Sequence, residues 1–226
     1  KSGPTGITVP SIPRWARSTG PTSPIATRSD SLERFPLRDV VNDTRSRGFC
    51  GPTAVAAIVG QPISDAIPAL VDGLSERWPG HIETQRRWVF NNAGGAMGAM
   101  TVLHASVTEY VIVFGTPIGT EGHTGRFWTD DYFYILEGEQ WAFDAGQLER
   151  SVFRPGDMHH LPRGTARGYR IPESCWALEY ARGFIPSMLP FGFADALSST
   201  LDVRSVARTV SLYARCVVGQ LLRGKI

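Results

Sequence analysis

Two adjacent acids interrupt an apolar, aromatic run of the sequence. Asp130 and Asp131 lie between Phe127 and Leu136, where most neighbours are aromatic or aliphatic. Successive side chains of a β-strand point to opposite faces, so a strand here turns only one of the two carboxyl groups inward. Both faces of such a strand are largely aromatic, so the pattern leaves open which aspartate is buried. A bulge or the rim of a sheet is the alternative explanation for acids at this point.

A third acid, Glu179, lies in a second strand-like segment. Alternation places small residues on its own face and larger residues on the opposite face. The small ones are Cys175, Ala177 and Ala181, and the larger ones are Trp176, Leu178 and Tyr180. Small neighbours leave room beside a carboxyl group, so we interpret this face as the wall of a cavity for an apolar ligand. An exposed glutamate on an edge strand is the alternative.

Two other groups of residues have the chemistry of a site, and for both we favour a structural role. His159 and His160 are adjacent, and neighbouring strand residues face opposite ways, so at most one of them could bind a metal. We therefore predict no metal site. Cys50 precedes a predicted short helix from Pro52 to Gly60, where a helix N-terminus could activate a thiolate, but a buried structural cysteine is the preferred interpretation.

Composition limits the class of protein. The chain has 226 residues, of which 42% are hydrophobic and 19% charged, which predicts one folded domain. A formal net charge of +2 does not indicate a nucleic-acid partner, and three widely spaced cysteines fit a reducing compartment. No apolar stretch approaches the roughly 18 residues that span a bilayer. The chain begins at Lys1, which leaves open an upstream anchor or targeting segment that has been removed.

Turn residues and hydrophobic periodicity divide the chain into four parts. Residues 1–35 are rich in proline, glycine and serine and are predicted to form a flexible arm. Residues 36–85 are predicted to be a helical segment, with a helix that Ser64 opens and Pro79–Gly80 ends. Short alternating runs separated by turns predict an antiparallel barrel or sandwich over 86–183. Residues 184–226 are predicted to be amphipathic helices.

The last predicted helix starts near Ser199 and runs towards Leu222. At 100° per residue its apolar side chains form one stripe, and three arginines lie nearly opposite. The stripe consists of Val203, Val206, Val210, Tyr213, Val217 and Leu221, and the arginines are Arg204, Arg208 and Arg215. A helix packed on the core would show the same stripe. The bulky apolar segment at 184–193 favours a helix that lies on a membrane surface.

Several motifs give the chain a specific resemblance. They are GGAMGAM, GHTGRFW, TDDYFYILEGEQW, MHHLPRGTARGY, WALEYARGFIPSMLPFGFADALSSTLD and SLYAR. Together they resemble the fungal Δ8–Δ7 sterol isomerase and sigma non-opioid receptor family between residues 78 and 222, whereas residues 42–61 do not match it. The resemblance implies a mainly β fold with flanking helices. It takes the form of a cupin-like β-barrel closed by C-terminal helices that lie on the endoplasmic-reticulum membrane, commonly in homotrimers.

The same resemblance implies roles for individual residues. Glu179 matches the essential glutamate of the family and Asp130 the acid that faces it, which makes Asp131 an outward or supporting residue. His123 matches a histidine near the acids, for which we favour a structural hydrogen bond. Ala96 replaces a tryptophan of the receptor branch and is expected to widen the cavity. The candidate substrate-binding residues are Ala96, Met100, Tyr110, Phe114, His123, Trp128, Phe133, Ile185, Met188, Leu189 and Tyr213.

Two carboxyl groups across a dry cavity suit the migration of a ring double bond. Burial raises the pKa of a carboxyl group, so one can stay protonated as the donor while its partner stays ionised as the base. No cofactor is needed, and the implied partners are a sterol or other terpenoid, a membrane surface and further copies of the chain. A terpenoid isomerase or cyclase derived from this family, or a non-enzymatic ligand-binding protein like the sigma receptor, are the alternatives.

Overall fold

The structure, a computed structural model, describes residues 61–225. The predicted arm at 1–35, the predicted helix at 52–60 and Cys50 lie outside the described residues. The first described helix, α1 (Ile63–Arg77), ends two residues before Pro79, as its sequence predicted. Its buried side, which includes Leu70 and Leu74, packs on a β-sheet, and this burial is the main source of stability for so short a helix.

The strands form two antiparallel sheets. In chain order they are β1 (Val89–Ala93), β2 (Ala96–Ala105), β3 (Glu109–Thr116), β4 (Thr120–His123), β5 (Thr129–Gly138), β6 (Gln140–Phe143), β7 (Ser151–Phe153), β8 (Met158–Leu161), β9 (Gly168–Ile171) and β10 (Cys175–Gly183). The large sheet has the order β1-β2-β3-β10-β5-β8, and the small sheet the order β4-β9-β6-β7. Long β10 therefore lies in the middle of the large sheet, between β3 and β5.

The turn between β1 and β2 shows why the sequence folds locally in this way. Ala93 pairs with Ala96, so Gly94 and Gly95 alone form the loop. Their φ angles are 63° and 86°, the left-handed region that a two-residue type I′ hairpin requires and that glycine adopts without strain. The hairpin fixes the register of β2 at the edge of the cavity described below.

The predicted mainly β fold with flanking helices is confirmed, but the closed barrel is wrong. The large sheet ends at β1 and β8, and neither pairs with a strand of the small sheet. Paired antiparallel sheets are the arrangement of jelly rolls, the class that includes cupins, so the cupin-like architecture holds without closure. Helices take over the covering role, because the C-terminal helices pack on β1 and β2.

The central strands of the large sheet are covered on both faces. On one face Leu103, Val113 and Leu178 pack under α1. On the other face Ile112, Ile135 and Ala177 belong to a second apolar cluster that includes residues of the last helix. A sheet that is covered on both sides has strands without a clean polar face, which is why alternation in β5 predicted two faces but not which one is which.

The C-terminal segment consists of a 3₁₀ helix (Ile185–Met188), α2 (Leu189–Ser198) and α3 (Val203–Leu222). Asp202 caps α3 by accepting a hydrogen bond of 3.0 Å from the Ser205 backbone N–H. The C-terminal end of α3 is fixed by two contacts. Gln220 Oε1 lies 2.6 Å from Nδ1 of His81, in the segment between α1 and β1, and Lys225 pairs with Glu109 of β3.

Helix α3 has three sides, and the single apolar stripe predicted from the sequence is divided between two of them. Tyr213 and Val217 pack against the core, whereas Val203 and Val210 are 62% and 46% exposed. The three arginines of the predicted basic line, Arg204, Arg208 and Arg215, are exposed as well. The helix thus packs on the protein with one side and presents an apolar strip and a basic strip outward.

Candidate active site

A cavity between the two sheets, roofed by the C-terminal helices, holds the predicted carboxyl groups. Glu179 lines it from the middle of β10, where its neighbours in the ladder are Ile112 of β3 and Phe133 of β5. Cys175, Ala177 and Ala181 share its face and are buried, as the sequence predicted. The small side chains leave space around the carboxyl group of Glu179.

Tyr110 holds the Glu179 carboxyl group. The phenol oxygen of Tyr110 donates a hydrogen bond to Glu179 Oε1, and the Tyr110 ring packs edge-on against Tyr213 at 6.3 Å between centroids. Burial is the main cause that raises the pKa of Glu179 to about 8, the charge of Asp131 adds to it, and the bond from Tyr110 opposes it. Glu179 is therefore mostly protonated at neutral pH.

Asp131 is the second carboxyl group of the cavity. It lies two residues before Phe133 on β5 and so is diagonal to Glu179 across the β5–β10 ladder, within reach of a long side chain. Asp131 is 2% exposed, and its Oδ1 is buried without a hydrogen-bond partner. Burial raises the pKa of Asp131 to about 7, although a hydrogen bond with Thr129 lowers this pKa. The pair can thus hold one proton between two acids near neutral pH.

The expectation that Asp130 faces Glu179 is wrong, and Asp131 does so instead. Asp130 points to the outer side of β5, where its Oδ1 accepts a 3.0 Å hydrogen bond from the Arg163 backbone N–H and lies 3.6 Å from His160 Nε2. Its side chain is 34% exposed. These partners explain an acid on the outside of the strand, and residues 30 and 33 positions away in the sequence supply them.

Nine of the eleven predicted substrate-binding residues line the cavity. They are Met100, Tyr110, Phe114, His123, Phe133, Ile185, Met188, Leu189 and Tyr213. His123 has the structural bond that was expected, because its Nδ1 accepts a 2.9 Å hydrogen bond from the Gly125 N–H. The strands supply the floor and the C-terminal helices the roof, so these residues come from distant parts of the chain between Met100 and Tyr213.

Trp128 and Ala96 lie elsewhere, which corrects their assignment. Trp128 lies in the bend just before β5, on the same outward side as Asp130, and is 72% exposed. Ala96 is buried against the small sheet: a Cβ placed on Gly122 would lie 3.0 Å from the Ala96 Cβ. Ala96 therefore sets the contact between β2 and β4 and does not widen the cavity.

Sequence reasoning missed several polar residues of the cavity, above all Gln140 and His159. His159 was considered only as a metal ligand, and no group of three or more possible ligands occurs within residues 61–225. His159 and His160 do point to opposite faces: His159 is fully buried, while His160 stacks on Tyr132 outside the cavity. Strand alternation could have found His159, because it places His159 and His160 on opposite faces of β8. His159 pairs with Phe133 in the ladder and so shares the cavity face.

Comparison with known proteins identifies a family. The family model described as "ERG2 and Sigma1 receptor like protein" matches residues 49–225. The match begins upstream of the residues at 78–222 that carried the resemblance, so the expectation that 42–61 lies outside the family is wrong from residue 49 onwards.

Relatives from both branches of this family are similar to the chain. A C-8 sterol isomerase of Gibberella zeae is 53% identical over 198 residues, which are 87% of this chain and 81% of that protein. One from Pyricularia oryzae is 60% identical over 64% of this chain and 66% of its own length. Sigma non-opioid intracellular receptor 1 of Taricha granulosa is 39% identical over 70% of this chain and 72% of its own.

Solved structures with some likeness include an RmlC-like cupin from Shewanella frigidimarina, with a TM-score of 0.38 and 18% identity over 44% of this chain and 85% of that one. The polyketide cyclase RemF from Streptomyces resistomycificus has a TM-score of 0.39 and 17% identity over 44% and 75%. The match of the family model over most of the length, together with these sequence relatives, identifies the chain as a member of the ERG2 and Sigma1 receptor like protein family.

Proposed function

We propose that the protein is a sterol Δ8–Δ7 isomerase, an enzyme that moves a carbon–carbon double bond within the ring system. The observation that carries this proposal is the pair Glu179 and Asp131, two carboxyl groups with raised pKa values in one apolar cavity. The similarity to proteins named C-8 sterol isomerase supports the same reaction.

The proposed reaction needs one proton in and one proton out. Protonated Glu179 gives its proton to carbon 9 of the Δ8 alkene, which leaves a tertiary cation at carbon 8. Ionised Asp131 then removes a proton from carbon 7, and the electrons of that C–H bond form the Δ7 alkene. The sterol gains and loses one proton, and exchange of both carboxyl groups with solvent water between turnovers restores the starting state.

The pKa values of the two acids favour this division of labour. Burial, and after it the charge of Asp131, raises the pKa of Glu179 to about 8, so this carboxyl group keeps a proton near neutral pH that it can donate. Tyr110 donates to Glu179 Oε1 and so stabilises the carboxylate that forms when the proton leaves. Aromatic rings of Phe114, Phe133 and Tyr213 line the cavity and can stabilise the cation through their π faces.

Isotope exchange tests the proposal directly. In deuterated water the exchangeable proton of Glu179 becomes deuterium, so the enzyme should convert a Δ8 sterol into a Δ7 sterol that carries one deuterium at carbon 9. Mass spectrometry counts the deuterium, and NMR locates it. A sterol that binds but is recovered unchanged and unlabelled would contradict the proposal and leave a purely ligand-binding function.

We also propose that the enzyme works at a membrane surface. A sterol is almost insoluble in water, and the C-terminal elements that roof the cavity carry exposed apolar side chains. They include Phe184, Leu197, Leu201, Val203, Val210, Val218 and Leu221. Among the helices of residues 61–225, none is both long and apolar enough to cross a bilayer. We propose that α3 lies in the membrane interface with its arginines towards the lipid headgroups. The endoplasmic-reticulum membrane and the homotrimer belong to this proposal only as what the family resemblance implies.

Charge in the exposed strip of α3 should release the protein from lipid. The double variant Val210→Asp/Leu221→Asp changes residues that are 46% and 48% exposed, so the fold should be kept, whereas liposome binding should fall roughly tenfold or more. Flotation with liposomes that contain anionic lipid measures the effect.

Leu148→Asp is the matched control, since Leu148 is 98% exposed in the turn between β6 and β7. Val217 is unsuitable because it packs against the core. Unchanged flotation of a folded double variant would rule out the proposed membrane face.

A further inference from the structure

His159 is a buried titratable group that the proposed reaction does not use. It lies on β8 and is fully buried, and it lines the same cavity as Glu179. The ladder places Glu179 opposite Phe133, and Phe133 opposite His159. The three residues therefore form one row across β10, β5 and β8 on the cavity face of the large sheet.

The hydrogen bonding of the imidazole fixes its protonation. His159 Nδ1 lies 2.8 Å from Oε1 of Gln140, a residue of the small sheet. An amide oxygen only accepts, so Nδ1 carries the hydrogen and donates it. Burial, together with Arg167 and His160, lowers the pKa of His159 to about 4, so the ring is neutral near neutral pH and Nε2 keeps a lone pair.

Nε2 has no hydrogen-bond partner and is buried. Two aromatic rings contact the imidazole: Phe153 stacks on it at 4.5 Å between centroids, and Phe133 lies tilted to it at 5.4 Å. A buried acceptor without a donor is costly, and such groups are uncommon in proteins unless a water or a ligand satisfies them. Besides Asp131 Oδ1 at the reacting end, the side chains that line the cavity therefore offer His159 Nε2 as an acceptor for a donor on the molecule that fills it.

We propose that His159 Nε2 accepts a hydrogen bond from the hydroxyl group of the sterol and so sets the position of the ring system relative to Glu179 and Asp131. This rests on the proposed function and names the feature of the substrate that the site selects: a hydroxyl, which can donate, and not a ketone or an ether, which cannot.

The spacing of the row agrees with the shape of a sterol. Two interstrand steps separate the backbones of Glu179 and His159, which is about 9–10 Å. In a sterol the hydroxyl is on the first ring and the Δ8 alkene joins the second and third rings. A sterol that donates to His159 would thus lie over Phe133 with its alkene towards Glu179.

Substrate analogues test the inference on the unaltered protein. Three Δ8 sterols that differ only at carbon 3 are compared: the alcohol, the ketone and the methyl ether. We expect kcat/KM to be roughly 10- to 100-fold lower for the ketone and for the ether, because both leave Nε2 unpaired. Equal kcat/KM values for the alcohol and the ketone would overturn the proposal.

Variants assign this preference to His159. His159→Asn keeps an amide N–H near the position of Nδ1–H, and hence the bond to Gln140, but removes the acceptor at Nε2. This variant should lower kcat/KM for the alcohol to about the value for the ketone. The value of kcat/KM for the ketone should stay nearly unchanged. His159→Gln, which restores an oxygen near Nε2, should recover part of the preference. Equal losses on all three sterols would indicate a merely structural role and overturn the proposal.

His160→Asn is the matched control, since His160 is the adjacent residue on the opposite face and stacks on Tyr132. It should keep the full preference for the alcohol.

Direct binding separates this inference from the proposed function. The affinities of the alcohol and the methyl ether are measured by quenching of tryptophan fluorescence, which requires no turnover. A protein that converts no Δ8 sterol but binds the alcohol more tightly than the ether would refute the isomerase and keep the role of His159. A protein that converts both sterols with equal affinity and rate would refute the role of His159 and keep the isomerase.

Discussion

Glu179→Gln is expected to lower kcat by roughly 10²- to 10⁴-fold, the usual contribution of a positioned general acid. The amide has the shape of the protonated carboxyl group and fills the same space between Ile112 and Phe133, but it has no proton to give to an alkene. Conversion of a Δ8 sterol, followed by mass spectrometry of the product, measures the loss.

The same substitution should also make the protein more stable than the wild type, by a margin that grows as the pH increases. The pKa of Glu179 is about 8 in the folded protein, against an ordinary value of 4.5. Between these values the folded state keeps a proton that the unfolded state has lost, so a rise in pH favours unfolding. Glutamine removes this dependence, and the variant should become progressively more stable than the wild type from about pH 4.5 to pH 8.

Glu121→Gln provides the control for both measurements, because the Glu121 side chain is 72% exposed on β4. It should change neither the rate nor the pH dependence of unfolding. If Glu179→Gln folds and still isomerises the sterol at more than half the wild-type rate, Glu179 is not the proton donor.

Asp131→Asn is expected to lower kcat by roughly 10²- to 10⁴-fold as well, because the amide cannot accept the proton that leaves carbon 7. Its neighbour supplies the matched comparison: Asp130→Asn makes the same chemical change one residue away, on the outer face of β5. Asp130 bonds to Arg163 and His160, so its loss should cost about 1 kcal/mol of stability or less and leave the rate nearly unchanged.

Rates of the two asparagine variants, measured with the same sterol in deuterated water, decide between the faces of the strand. An inactive Asp130→Asn beside an active Asp131→Asn would mean that β5 turns its other face to the cavity.

Much of the fold follows from local patterns. The sequence predicted a helix that ends at Pro79–Gly80, and α1 ends at Arg77 and packs with Leu70 and Leu74. The contrast of small and large residues around Glu179 predicted its face, because a strand at the centre of a sheet must pack large side chains against one layer and leaves the other for the ligand. Alternation also sorted the residues of β5 correctly into two sets.

Which set of β5 faces the cavity was decided only by tertiary structure. Tyr134 and Leu136 lie under α1, and Asp131 and Phe133 line the cavity, so both faces are covered and both are rich in aromatic residues. A pattern of apolar side chains predicts that a strand face is buried. It does not predict whether a helix or a ligand cavity covers that face. Arg163 bonds to Asp130 and Thr129 bonds to Asp131 only in the folded chain. The sequence alone therefore does not predict which acid has which partner.

The last helix shows the same limit. Its sequence predicted an amphipathic helix with a line of arginines. The apolar stripe, however, is wide enough that part of it packs on the core and part of it is exposed. Tyr213 turns inward to Tyr110, and Val210 turns outward. The packing of α3 on β1 and β2 set that division, and this packing depends on contacts that no single segment contains.

The polar end of the cavity is the clearest case. His159 and Gln140 are 19 residues apart and belong to different sheets, and their 2.8 Å contact exists only because the sheets face one another. The sequence by itself determined that Glu179 lies among small residues and that one of two adjacent aspartates lies inside. The packing of two sheets and a helix decided that Asp131 is that aspartate, because only the folded chain gives each carboxyl group and each imidazole its surroundings.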